Sequence, residues 1–100
     1  MAKLTIVYWR DIPAQVIAKE KRNAAKRVLS ERFEKAIDRA AMRSGARDTD
    51  AYLAEWRRGD AGPCGGDLEA EAGLVAARLE AEYSDDRLAA LIVSGGREDG

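Results

Sequence analysis

Six cationic side chains, Lys19, Lys21, Arg22, Lys26, Arg27 and Arg32, make the densest basic stretch of the chain. A patch of this kind is all that phosphate contacts require, and Tyr8 or Trp9 could stack on a base, so nucleic-acid or anion binding is one chemistry on offer. Glu20 and Glu31 interrupt the stretch and no recognition motif accompanies it; a solvated turn and helix surface is the simpler reading. A second cluster is the run Trp9, Arg10, Asp11, Ile12, Pro13, Ala14, Gln15, set where the backbone must turn. Turns normally use Gly, Asn, Asp or Ser. Trp9 and Ile12 therefore either seal a core or wait for a partner. Trp56, Arg57 and Arg58 repeat the mix of an aromatic with neighbouring arginines that is enriched in binding hot spots. The candidate partner-binding set is Trp9, Arg10, Asp11, Ile12, Pro13, Gln15, Trp56, Arg57 and Arg58. In the alternative, Trp9 and Trp56 pack together as the lid of a small core.

The residues that would do covalent or acid–base chemistry are missing or poorly placed. The chain has no histidine, which removes the usual general base at neutral pH and the commonest metal ligand. Its single cysteine, Cys64, can form neither an internal disulfide nor a zinc site alone. Read as lying just before a helix, Cys64 would gain from the dipole, but Asp67, Glu69 and Glu71 would raise its pKa. Gly62-Pro63-Cys64-Gly65-Gly66 suggests a phosphate cradle without the lysine and hydroxyl that a P-loop needs. The acidic pairs Asp48/Asp50 and Asp85/Asp86 fit helix starts, where capping explains them. Arg58-Gly59-Asp60 spells an adhesion tripeptide by coincidence. No catalytic, metal or cofactor site is expected.

One hundred residues, 46% of them hydrophobic and 35% charged, allow one small domain with one core. The near-neutral total divides unevenly: residues 1–50 hold 12 Lys/Arg and 7 Asp/Glu, residues 51–100 hold 5 and 11. Packed together, the two halves partly cancel; a free basic face is the alternative. The early apolar run from Leu4 to Trp9 is too short to span a bilayer and lacks a cleavage site after it, which reads as cytoplasmic without membrane attachment.

The elements that must position these residues follow from periodicity and caps. Residues 3–9 alternate as a strand, Asp11 to Pro13 turn, and Gln15 to Lys19 return as its antiparallel partner. A third short strand near 25–28 would follow a turn at Lys21 to Asn23. Ser30 caps a helix with the stripe Phe33, Ile37, Ala40 and Ala41, which Gly45 stops. A short helix runs from Asp48 or Thr49 to Trp56, with Tyr52, Leu53 and Trp56 as its apolar edge. Residues 59–66 read as loop. A third helix from Asp67 aligns Leu68, Ala72, Val75, Leu79 and Tyr83, and a fourth, capped by Ser84, buries Leu88, Leu91 and Ile92. The expected fold is α+β: a hairpin of two or three strands packed against three or four helices. The domain covers residues 1–94, and residues 95–100 form a flexible tail.

Three segments carry a family resemblance: Tyr8 to Val16, Glu31 to Met42 and Asp50 to Trp56. They resemble the short bacterial "virulence factor" domain proteins, and the similarity covers most of residues 3–93. Stand-alone members occur in proteobacteria, and a similar domain is attached to a larger conserved virulence factor in Gram-positive bacteria. The resemblance implies no catalytic residues. Some members are encoded near corrinoid- and folate-linked methyl-transfer proteins, which implies an accessory role in one-carbon metabolism. A non-catalytic module with a protein partner is the expectation that results.

Overall fold

The computed structural model describes residues 2–45 and 48–97. Its elements are β1 (Ala2–Trp9), β2 (Ile12–Glu20), β3 (Asn23–Val28), α1 (Glu31–Ser44), α2 (Thr49–Ala54), β4 (Trp56–Cys64), α3 (Leu68–Glu82) and α4 (Asp85–Val93). The fold is α+β, as expected, with a four-stranded antiparallel sheet in the order β3-β2-β1-β4. Among the described residues no helix is long and apolar enough to cross a membrane.

The alternation seen in the sequence sets the core. Leu4 pairs with Ala18 and Ala18 with Ala25, while Ile6 pairs with Val16, so these side chains share one face of the sheet. Ala72, Val75 and Leu79 of α3 pack onto that face over β2 and β3. Lys3, Thr5, Ile17, Lys19 and Lys26 point to the side away from α3. At the hairpin end, α1 and α4 pack against each other. Phe33 meets Tyr83 edge-on there, with ring centroids 5.9 Å apart.

The largest departure from the sequence expectation is β4. Residues expected as the end of a helix and a loop form nine residues of strand along β1. Nothing local announces it, because Trp56 to Cys64 contains two glycines, an aspartate and a proline. Those residues are tolerated because β4 is an edge strand, and Ala61 is extra in the register, between Thr5↔Asp60 and Leu4↔Gly62. Gly59 is required for space. A Cβ there would lie 2.9 Å from the Tyr8 ring, which crosses its backbone.

Turns and ends also shift. The first turn is Arg10–Asp11, not Asp11 to Pro13: Trp9 pairs directly with Ile12, and Arg10 holds a left-handed φ of 54°. Ser84 caps α4 by accepting from the Arg87 N–H, as expected, and Gly45 ends α1 at φ 82°. Ser30 stands at the start of α1 without capping it; its hydroxyl donates to Glu80 instead. Gly95 and Gly96, assigned to the tail, are buried, and the Gly96 carbonyl accepts from the Asp11 N–H at 2.8 Å. The rest of the expected tail, residues 98–100, lies outside the described residues.

Candidate functional site

The hairpin run is the first place to test for a binding surface, and it is closed. Trp9 and Ile12 are 0% exposed, and Pro13 is also fully buried. Trp9 stacks on Tyr52 at 5.8 Å and donates its indole N–H to the Tyr52 carbonyl at 2.9 Å. Gly96 approaches the far edge of the indole so closely that a Cβ would lie 3.0 Å from it. Arg10 lies over the same indole, donates to the Gly95 carbonyl at 2.7 Å and pairs with Glu55 at 3.2 Å. These residues fasten the hairpin to α2 and the C-terminal segment. Of the two readings the sequence left open for Trp9 and Ile12, the structure shows the sealed core, and Pro13 is enclosed with them.

The other candidates part company. Asp11 pairs with Arg57 at 3.2 Å, and the Arg57 guanidinium lies 4.4 Å from the centre of the Tyr8 ring. Both line an open groove of about 600 Å³ beside Gly59 and Tyr83. Arg58 pairs with Val7 on the side of the sheet away from α3, and it is exposed. Gln15 and Trp56 come together in a second cleft.

The basic stretch is likewise divided. Arg27 turns toward α3, against Gly73 and within 3.7 Å of Glu69. Arg32 is consumed by the Tyr83 and Glu80 carbonyls and by the carboxylates of Glu80 and Asp85. Lys21 and Arg22 form the turn between β2 and β3. Lys19 and Lys26 remain exposed on the side away from α3, with Lys3 paired opposite Lys19. Cys64 ends β4 instead of preceding a helix directly; partial burial, then the carboxylates of Glu71 and Glu20, pushes its thiol pKa up. A raised thiol pKa leaves little thiolate near neutrality.

The second cleft holds about 380 Å³ and is built from five elements and the loop before α1. β2 supplies Ala14 and Gln15, and the end of β3 with the residue after it supplies Val28 and Leu29. One face of α1 adds Glu34, Ile37 and Asp38; Tyr52 from α2 and Trp56 at the head of β4 close it. Tyr52 stands edge-to-face with Trp56, at 82° and 5.9 Å. Partial burial pushes the Tyr52 phenol up, and the carboxylates of Asp38 and Glu34 add to the shift. Neither carboxylate has an ion pair or hydrogen bond among the described residues. Sequence reasoning found Gln15 and Trp56 but missed Glu34, Asp38 and Tyr52 as site residues. The available signal was Glu34 and Asp38 at i,i+4 beside the buried stripe, two like charges on one helix face.

A family model described as "Virulence factor" matches residues 7–92. The chain belongs to that family. No curated protein and no solved structure matches it. The virulence factor match begins within β1 and ends within α4, so it includes the hairpin and α2 side of the closed corner and every wall of the cleft, but not Gly95 and Gly96. Among the described residues no group of three or more His, Cys, Asp or Glu side chains is gathered as a metal site would require.

Proposed function

We propose that this virulence factor family protein is a non-catalytic partner-binding module, an accessory protein of the bacterial cytoplasm, and that its partner is a protein. The observation that supports this reading is the cleft between α1 and Trp56, which leaves a half-buried tryptophan beside exposed Val28. A small domain gains nothing in stability from leaving such a ring partly wet, and aromatic side chains in concave sites are where binding energy concentrates. The link to one-carbon and methyl-transfer proteins that the family resemblance implies belongs to the same proposal.

The experiment is affinity capture with wild type beside Trp56→Ala, both first shown to be folded by circular dichroism. The captured protein is then purified and binding is measured directly. Loss of direct binding in Trp56→Ala supports the cleft as the contact site. Equal binding by both proteins overturns it.

A second reading, anion or nucleic-acid binding, is favoured by one observation. Lys3, Lys19, Lys26 and Arg58 are exposed on the side of the sheet away from α3, with no carboxylate paired to them among the described residues. Of the expected basic set, only Lys19 and Lys26 contribute to this surface; Arg27 and Arg32 do not. Binding of a labelled oligonucleotide that weakens steeply with salt, and is lost in Lys19→Glu/Lys26→Glu, would support it.

A further inference from the structure

The chain has six aromatic side chains, and its arginines are distributed over them unevenly. Arg10 lies over Trp9, Arg32 over Phe33, Arg57 over Tyr8 and Arg87 over Tyr83, each within 4.9 Å of the ring centre. Tyr52 and Trp56 carry no such cation among the described residues. Tyr52 stacks on Trp9, whereas Trp56, partly exposed and set edge-to-face with Tyr52, stacks on no other ring among the described residues. The same cleft holds Glu34 and Asp38, carboxylates without a cation or hydrogen-bond donor among the described residues. Two half-buried carboxylates elsewhere show the contrast: Glu80 takes Ser30 and Arg32, and Glu55 takes Arg10 and Arg97.

A flat cation is what both halves of this cleft lack. A ring face attracts a cation through its quadrupole, and a guanidinium can stack there while its N–H groups fork toward carboxylates. Guanidinium is also less strongly hydrated than ammonium, so it enters a half-buried cleft at lower desolvation cost. Val28, Leu29 and Ile37 would take the apolar stem or its neighbours.

Resting on the reading of this cleft as the partner site, we infer that it receives an arginine side chain of the partner, stacked on Trp56 and held by Glu34 and Asp38. The partner segment is therefore basic with apolar neighbours, opposite in sign to anything the exposed lysines of the sheet would attract.

The test uses the full chain and two capped peptides that differ only in one position, arginine in one and the isosteric, uncharged citrulline in the other. NMR follows the two indole N–H resonances, assigned with Trp56→Phe, so that buried Trp9 serves as the internal control. The arginine peptide is expected to move the Trp56 resonance while leaving that of Trp9 in place. It should bind about tenfold more tightly than the citrulline peptide, the difference that one charge-assisted contact commonly supplies. In Glu34→Gln/Asp38→Asn, checked for a native spectrum, the preference should vanish. Equal binding of both peptides at Trp56 overturns the arginine assignment and leaves the partner-site reading standing. A preference that survives in the double variant overturns the role of the carboxylates. Absence of any Trp56 shift with the arginine peptide overturns the inference, while direct partner binding lost in Trp56→Ala would still preserve the broader reading.

Discussion

Trp9 and Trp56 sit opposite each other across β1 and β4, touch the same tyrosine, and have opposite fates. Trp9 is enclosed: Tyr52 covers one face, Arg10 lies over the ring, Gly96 meets its edge, and the Tyr52 carbonyl accepts its N–H. Trp56 is half-buried, and its indole N–H finds no acceptor among the described residues. The carboxylates repeat the contrast, with Glu55 paired at the closed corner and Glu34 and Asp38 without a partner among the described residues in the open cleft. Residue type does not decide which aromatic is structural. What decides it is whether distant chain returns to complete the environment.

The largest effect expected from that contrast is on stability. Trp9→Ala should cost about 3–5 kcal/mol, the range for emptying a large buried aromatic site. Trp56→Ala should cost less, because its ring is only partly buried while Trp9 is wholly enclosed. Urea unfolding of the two variants measures the difference directly. Equal losses would mean that Trp56 belongs to the core and that the cleft is not an open site.

A smaller effect should follow from closing the corner less well. Gly96 has φ +95°, and a Cβ there would meet Trp9 at 3.0 Å and Arg10 at 3.3 Å. Gly96→Ala should therefore destabilise by about 1–3 kcal/mol through strain and overpacking. Gly66, where a Cβ would meet nothing within 4 Å, is the control, and Gly66→Ala should change the unfolding midpoint little. A neutral Gly96→Ala would show that the C-terminal segment does not enclose Trp9 in solution.

How far the sequence reveals this contrast depends on the range of the interactions involved. Ser84 and Gly45 mark helix ends because a cap is completed within a few residues, and the stripe Phe33, Ile37, Ala40 and Ala41 lies on one short helix. Strand β4 is invisible locally, since Gly59, Asp60 and Pro63 read as loop until β1 supplies their pairing partners. The burial of Trp9 depends on Tyr52 and Gly96, far along the chain, so Trp9 and Trp56 look alike in sequence. Gln15 and Trp56 were readable as candidates by type. The cleft they share required α1 to arrive with Glu34 and Asp38, and no spacing rule connects those segments.

The carboxylates allow a pH comparison with a definite sign. Burial alone would raise the pKa of Glu80, but the Ser30 N–H and hydroxyl and the Arg32 guanidinium outweigh it and hold the carboxyl below its ordinary 4.5. The unfolded chain then binds the proton more readily than the folded one, so this stabilisation is present above the ordinary value and lost as pH falls through the folded one. Unfolding measured between neutral and acid pH should show a shallower acid-side loss in Glu80→Gln than in wild type. An unchanged slope would remove Glu80 from the satisfied class and weaken the contrast with the cleft.

The smallest effect carries the sharpest reading of the cleft. Like charges at i,i+4 on a helix oppose its formation by about 0.2–0.5 kcal/mol, and neither Glu34 nor Asp38 is compensated by a described partner. Asp38→Asn keeps the size and nearly the helix propensity of the residue while removing one of the two charges. It should leave stability unchanged or raise it by a few tenths of a kcal/mol, a gain of the size expected from relieving the pair. Low salt should enlarge the gain, because exposed charges are screened less there. A variant that is more stable and yet loses the arginine preference would separate the two roles cleanly, since the carboxylate would then serve the ligand at a small cost to the helix. Destabilisation by Asp38→Asn would instead place Asp38 with Glu80, as a residue that the fold itself uses.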